Sequence, residues 1–218
     1  MLRRRPIWSC LLLATACAAP PAPPWQGREA PGVLRPATAL PFDVLWHQRV
    51  TAHWGDEQHR GFDAAVQKLG DTLTVLGFAP TGAVGFTILE QGTEVELRNQ
   101  SGQPMPFPPR YVLLDVQRTF YPWLPEATAC DPADPTTREG IVDGERIRET
   151  FRDGRLVERT FARLDGDPAG LVRVRYDWTA DDAGRLAPHH IELDSEWFGY
   201  RLTIDTHAEE RLEPAEKG

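Results

Sequence analysis

The chain is short of the groups on which most enzymes and nucleic-acid binders depend. Of its 218 residues only three are cysteine, too few for the disulfide framework of a small secreted scaffold. Positive charge is scarce: 24 Lys and Arg stand against 32 Asp and Glu, for a formal charge of −8 and a pI near 5.3. That balance excludes partners bound through a row of phosphates. Beyond residue 16 the only serines are Ser101 and Ser195, and neither sits in a Gly-x-Ser-x-Gly turn. No Gly-x-Gly-x-x-Gly, Walker or His-Glu-x-x-His motif occurs, and no apolar run reaches the roughly 20 residues of a membrane-spanning helix. What the chain does have is 41% hydrophobic and 26% charged residues, enough to bury the core of one mid-sized domain.

The N-terminus reads as an address. Arg3, Arg4 and Arg5 precede the short apolar stretch from Ile7 to Ala14, the pattern of a secretory signal. Leu13-Ala14-Thr15-Ala16-Cys17 follows; small residues before a cysteine resemble a bacterial lipobox, with residues 1–16 removed and Cys17 diacylated as the new N-terminus. The other reading is an ordinary signal cut at a small-x-small site, with Cys17 incidental. Ala18, where aspartate marks retention in the inner membrane, directs the lipoprotein to the outer membrane, facing the periplasm. Cys10 leaves with the signal, so Cys130 is the one remaining thiol. It stands beside Asp131 in Thr128-Ala129-Cys130-Asp131-Pro132, and an inert loop cysteine rather than a nucleophile is the expectation. Losing three arginines takes the charge from −8 to −11, so the body is repelled by anionic lipid and needs two acyl chains to stay attached. Residues 17–41, rich in proline and without periodicity, predict an extended tether of up to roughly 70 Å, with Trp25 free to rest at the lipid interface.

After Pro41 the period becomes two. Val44 to Trp54 alternates apolar and polar residues, as a half-buried strand does. Phe62, Ala64 and Val66 alternate next, and Leu73–Phe78, Gly85–Glu90 and Thr93–Leu97 continue a meander. Pro108-Pro109 then lead into Arg110–Phe120, where Val112, Val116 and Phe120 recur every four residues with Leu113 alongside, an amphipathic helix begun by proline and stopped by Pro122. A proline-rich acidic loop spans Pro125 to Asp134. Strands resume at Ile147–Phe151, Leu156–Leu164, Leu171–Trp178, His190–Trp197 and Tyr200–Thr206. The expected fold is mainly β (α+β): a curved antiparallel sheet forming an incomplete barrel over residues 42–212, its apolar concave face covered by the helix, with a tail at 213–218.

Two stretches carry a family resemblance. One runs from Gln48-Arg49-Val50-Thr51 through Leu73-Thr74-Val75-Leu76-Gly77-Phe78-Ala79-Pro80-Thr81-Gly82. The other is Pro109-Arg110-Tyr111-Val112-Leu113-Leu114-Asp115-Val116-Gln117 with Phe120-Tyr121-Pro122-Trp123, together with the closing Phe198-Gly199-Tyr200-Arg201-Leu202-Thr203-Ile204. The chain resembles a LolB-like outer-membrane lipoprotein family of the LolA/LolB lipoprotein-carrier superfamily, encoded near lipid and aryl-polyene synthesis genes. The resemblance implies a half-barrel whose apolar cavity holds acyl chains, and a periplasmic carrier protein as partner. It departs at one place. Where LolB presents a leucine that enters the membrane, Thr81 stands at the hairpin tip, with Phe78, Pro80 and Val84 nearby, so cargo other than lipoproteins stays open.

Other chemistry is sparse. On a strand, His190 and Glu192 share a face while His189 points away, so at most two metal ligands converge; a solvated face, with no metal and no cofactor, is the plainer expectation. The residues expected to face inward are Trp46, Val50, Phe62, Val75, Phe86, Val116, Phe120, Tyr176, Trp178, Trp197, Tyr200 and Leu202. They make either a filled core or a greasy slot of a few hundred cubic ångströms for a lipid-like cargo, acyl or polyene-type. The expected function is binding or transfer of that cargo, without catalysis. The alternatives are a cargo-free tethered module docking an envelope assembly and, third, an envelope hydrolase.

Overall fold

The computed structural model describes residues 30–213, apart from 56–57, 93, 103–104, 106, 132 and 181–183. The signal, Cys17, the tether up to residue 29 with its Trp25, and residues 214–218 lie outside the described residues.

The alternating segments form β1 (Asp43–Trp54), β2 (Gln58–Leu69), β3 (Thr72–Phe78), β4 (Val84–Gln91) and β5 (Glu94–Asn99). After the helix α1 (Pro109–Phe120) come β6 (Cys130–Asp131), β7 (Asp134–Val142), β8 (Glu145–Arg152), β9 (Arg155–Arg163), β10 (Leu171–Ala180), β11 (Leu186–Ser195) and β12 (Tyr200–Leu212). All twelve join one antiparallel sheet in the order β5-β4-β3-β2-β1-β12-β11-β10-β9-β8-β7-β6. Every neighbour is a sequence neighbour except β1 and β12, whose long ladder joins the two halves of the meander. The sheet is open, with β5 and β6 at its edges and the connection carrying α1 between them.

Pleating assigns the faces. On β1, Val44, Trp46, Gln48 and Ala52 are buried while His47, Arg49 and His53 are exposed. The pairings Val50↔Phe62, Val66↔Val75 and Val50↔Ile204 bring neighbouring apolar side chains onto that same face. Ladder shifts at His47/Gln48, Gly77/Phe78 and Asp177/Trp178 insert an extra residue each, the bulges by which a sheet is bent and twisted.

Three expectations are corrected. No strand is expected between the loop ending at Asp134 and Ile147, but residues 134–142 form β7; Pro135 and polar residues on both sides conceal a strand that pairs fully only with β8. The strand expected at His190–Trp197 begins earlier and ends at Ser195, with Trp197 in the turn that follows. The proximal end of the expected tether is no spacer: Ala30, Ala37 and Leu40 are at most 5% exposed, and this segment lies along α1. Arg110 Nη2 donates to the Gly32 carbonyl at 2.6 Å, Arg118 Nη2 to the Pro31 carbonyl at 2.9 Å, and Gln117 exchanges two 2.8 Å bonds with the Arg35 backbone. Proline leaves backbone carbonyls without a strand partner; here helix side chains supply the donors.

That segment also explains which helix residues are buried. Tyr111, Leu113, Leu114, Asp115, Gln117, Arg118 and Thr119 are buried, whereas Val112, Val116 and Phe120 are only half-buried. The spacing-by-four stripe does not contribute the most tightly enclosed face; the sides flanking it are covered by the sheet and by residues 30–40.

Candidate functional site

A slot of about 60 Å³ lies between the half-buried helix stripe and the sheet. Of the residues expected to face inward, Val50, Phe62, Val75, Val116, Phe120 and Leu202 line it, together with Phe107 and Val112. Its two polar lining residues are Gln48 and Asp115. The volume corrects the expectation of several hundred cubic ångströms directly beneath the helix: side chains fill most of that space, and about two waters would occupy what remains.

The larger space lies beside it. A groove of about 450 Å³ shares Phe62, Phe107 and Val112 with the slot and runs to the β3–β4 hairpin, within the usual size range of ligand pockets. Phe86, Phe78, Pro80 and Met105 give it apolar walls. Three glycines, Gly61, Gly77 and Gly85, belong to its lining. At Gly77 a β-carbon would stand 2.1 Å from the Phe86 ring, so only glycine lets that ring lie across the strand and meet Phe62 edge-on at 5.9 Å. The hairpin is closed by Ala79 N–H to the Ala83 carbonyl and Gly82 N–H to the Ala79 carbonyl, both 2.8 Å. Thr81 and Val84 are exposed and do not line the groove. At the rim Arg49 pairs with Asp63 at 3.1 Å, while among the described residues no carboxylate pairs with the exposed Arg60.

A second space, about 440 Å³, opens at the other end of the helix and shares Phe120 with the slot. Trp46, Tyr176 and Trp178 line it; Trp46 stacks on Phe120 with ring centroids 4.4 Å apart and donates to Glu209 Oε2 at 3.0 Å. The remaining aromatics hold structure rather than line the slot. Tyr176 Oη donates to the Thr119 carbonyl at 2.8 Å, Trp178 Nε1 to the Leu156 carbonyl at 2.7 Å and Trp197 Nε1 to the Gly170 carbonyl at 3.1 Å. Trp197 lines none of these three spaces, and Tyr200 donates to Asp115 Oδ2 at 2.7 Å.

Three buried carboxyls on this side of the sheet depart from their usual acidity, Glu145 being pushed up by burial against the charge of Arg118. Burial pushes Asp115 up from 3.8 to about 6, opposed by the Tyr200 hydrogen bond and the Arg118 charge. Burial likewise pushes Glu90 from 4.5 to about 7, opposed by the bonds from Gln117 Nε2. Asp115, Gln48, Gly77 and Phe107 went unrecognised as site residues. One signal was present, a carboxylate among the apolar residues of the helix at Leu113-Leu114-Asp115-Val116. On the opposite face His190 Nδ1 lies 2.7 Å from Asp205 Oδ1, which raises its pKa; His189 instead lines the space of about 440 Å³, its Nδ1 3.2 Å from the Thr206 carbonyl. Cys130 is an exposed free thiol on β6.

Residues 45–208 match the model of a family described as "Protein of unknown function (DUF3261)". No curated protein matches the chain. Among solved structures it is similar to a LolA superfamily protein of Nitrosomonas europaea, at 14% identity over 81% of this chain and 89% of that one, TM-score 0.47. It is also similar to a Vibrio parahaemolyticus domain described as outer membrane lipoprotein-sorting, at 11% identity over 81% and 88%, TM-score 0.47. A DUF1329 family protein of Desulfovibrio piger matches at 14% identity over 78% and 85%, TM-score 0.36.

Proposed function

The chain belongs to the DUF3261 family, and we propose that it is a carrier that takes the hydrocarbon part of a lipid-like molecule, acyl or polyene-type, into the groove of about 450 Å³ and the adjoining slot. That apolar groove is the observation that carries the reading. Desolvating hydrocarbon yields about 0.8 kcal/mol per methylene, so a twelve-carbon chain gains roughly 10 kcal/mol before ordering costs. Arg60 at the rim offers its guanidinium to an anionic head group. In this reading none of the described residues of the groove takes part in bond-breaking, and the role is binding and transfer.

The helix covers the concave side of a rolled sheet in this reading, and its bonds support that. Gln117 Nε2 donates to Glu90 Oε2 on β4 at 2.9 Å, and the next residue, Arg118, to Glu145 Oε1 on β8 at 3.1 Å. Those strands are eight steps apart in the sheet order, roughly 38 Å if the sheet were flat, whereas consecutive α-carbons are about 3.8 Å apart. A sheet rolled about α1 reconciles the two distances. In the cell the body hangs from the periplasmic side of the outer membrane through lipidated Cys17 and exchanges cargo with a periplasmic carrier protein.

The test is lipid retention by the chain purified with Cys17→Ala, so that no acyl group of its own competes. Native mass spectrometry is expected to find co-purified lipid, and a fluorescent fatty acid is expected to bind with micromolar or tighter affinity. A protein that carries nothing and leaves the probe free ends the proposal. One observation favours a second reading, docking to an envelope assembly: Val95 and Leu97 are 38% and 39% exposed on the edge strand β5, as strand addition by a partner requires.

A further inference from the structure

We infer that the ligand carries a hydroxyl group at the buried end of its hydrocarbon chain, received by the Asp115 carboxylate in the slot; this rests on the lipid-carrier reading and narrows its substrate class. The slot is apolar except where Gln48 and Asp115 reach it. Both are nearly enclosed, Asp115 at 7% and Gln48 at 3% exposure. Gln48 Nε2 donates to Thr206 Oγ1 at 3.4 Å. Asp115 is held by one oxygen only: Oδ2 accepts from Tyr200 at 2.7 Å, while Oδ1 has no hydrogen-bond partner. A carboxylate oxygen enclosed by hydrocarbon and left unpaired is costly, and a plain methyl terminus pressed against it would leave that cost standing. A hydroxyl donor at the tip removes it. The same carboxylate thus rejects an ordinary acyl tail and selects a chain bearing a donor, because a site built to hydrogen-bond a group discriminates strongly against the analogue lacking it. The slot adjoins the groove through Phe62, Phe107 and Val112, so a chain entering past the hairpin advances tip first toward Asp115 and keeps its head at the rim.

The experiment compares dodecanoate with 12-hydroxydodecanoate, and hexadecanoate with 16-hydroxyhexadecanoate, by displacement of a fluorescent fatty acid at pH 8, where Asp115 is ionised. The full chain with Cys17→Ala is expected to bind at least one hydroxylated acid about tenfold more tightly than its plain partner, the effect of one hydrogen bond to a charged group. In the double variant Asp115→Leu/Tyr200→Phe, which removes both partners of that hydrogen bond, the preference is expected to vanish or reverse in favour of the plain acids. Equal affinities in the parent chain at both lengths overturn the inference while leaving the carrier reading intact, and so does a hydroxyl preference that survives in the double variant. If no acid of either kind displaces the probe and no lipid co-purifies, both fall together. The comparison in the parent chain is decisive even if the double variant does not fold.

Discussion

Opposite Phe86, a side chain on Gly77 would meet the ring at 2.1–2.7 Å, and the consequence reaches the groove that both residues line. Gly77→Val is expected to turn Phe86 off its strand and into that space. Probe affinity should fall at least tenfold in a fluorescence titration, while circular dichroism keeps its β signal and stability drops by about 1–3 kcal/mol, the usual cost of overpacking. At this scale the sequence was informative where a residue's role follows from alternation alone. Val50, Phe62 and Val75 sit on the inner face because every second residue of a strand does. It was silent where the role depends on a neighbour across the ladder. Nothing within Leu76-Gly77-Phe78 reveals that Gly77 pairs with Phe86, or that Asp115 meets Tyr200, 85 residues away.

The helix was legible as an element, from Pro109 at its start to Pro122 beyond its end, but its surroundings were not. Three consecutive carbonyls of its last turn, on Gln117, Arg118 and Thr119, are taken by Trp123 Nε1, Arg159 Nη1 and Tyr176 Oη at 3.0, 2.9 and 2.8 Å. The Gln117 carbonyl also accepts from Tyr121 N–H at 2.9 Å, but the end of a helix leaves its last acceptors short of donors and partly negative, so a guanidinium at the Arg118 carbonyl is favourable on both counts. Arg159 also reaches the Tyr121 carbonyl at 3.0 Å and pairs with Glu149, which is 2% exposed. Arg159→Met is expected to strand that carboxylate with Arg138 as its remaining partner and to lower the urea-unfolding free energy by about 3 kcal/mol. Tyr176→Phe, which removes one neutral hydrogen bond, should cost about 1 kcal/mol. Hydrophobic spacing along α1 marked Val112, Val116 and Phe120 as a stripe. It could not reveal that Gln117 and Arg118 are buried, because their partners come from residues 31–35 and from β4 and β8.

For the molecule as a whole, the buried carboxyls set a direction with pH. Glu90 and Asp115 hold their protons more tightly folded than unfolded, so the native state binds more protons between 4.5 and about 7 for the first and between 3.8 and about 6 for the second. Stability from these groups is therefore greatest below the unfolded values and falls as pH rises through the folded ones. The thermal midpoint is expected to decline across that range, and Glu90→Gln to flatten the upper part of the decline; a midpoint rising from pH 4.5 to 7 and unaltered by the substitution would contradict the linkage. The mainly β, one-helix architecture was legible from hairpin spacing, whereas the sheet-joining ladder between β1 and β12 was not, since its partners, such as Val44 and Arg211, stand at opposite ends of the chain. The docking of residues 30–40 along the helix was likewise hidden in a proline-rich composition. It has a mechanical consequence. Ala30, the first of the described residues and a buried one, lies only thirteen positions beyond Cys17, and even a fully stretched chain of that length spans no more than about 45 Å. If Cys17 is seated in lipid as proposed, that distance is a short leash, and any partner in the proposed exchange has to travel to the bilayer to meet the body.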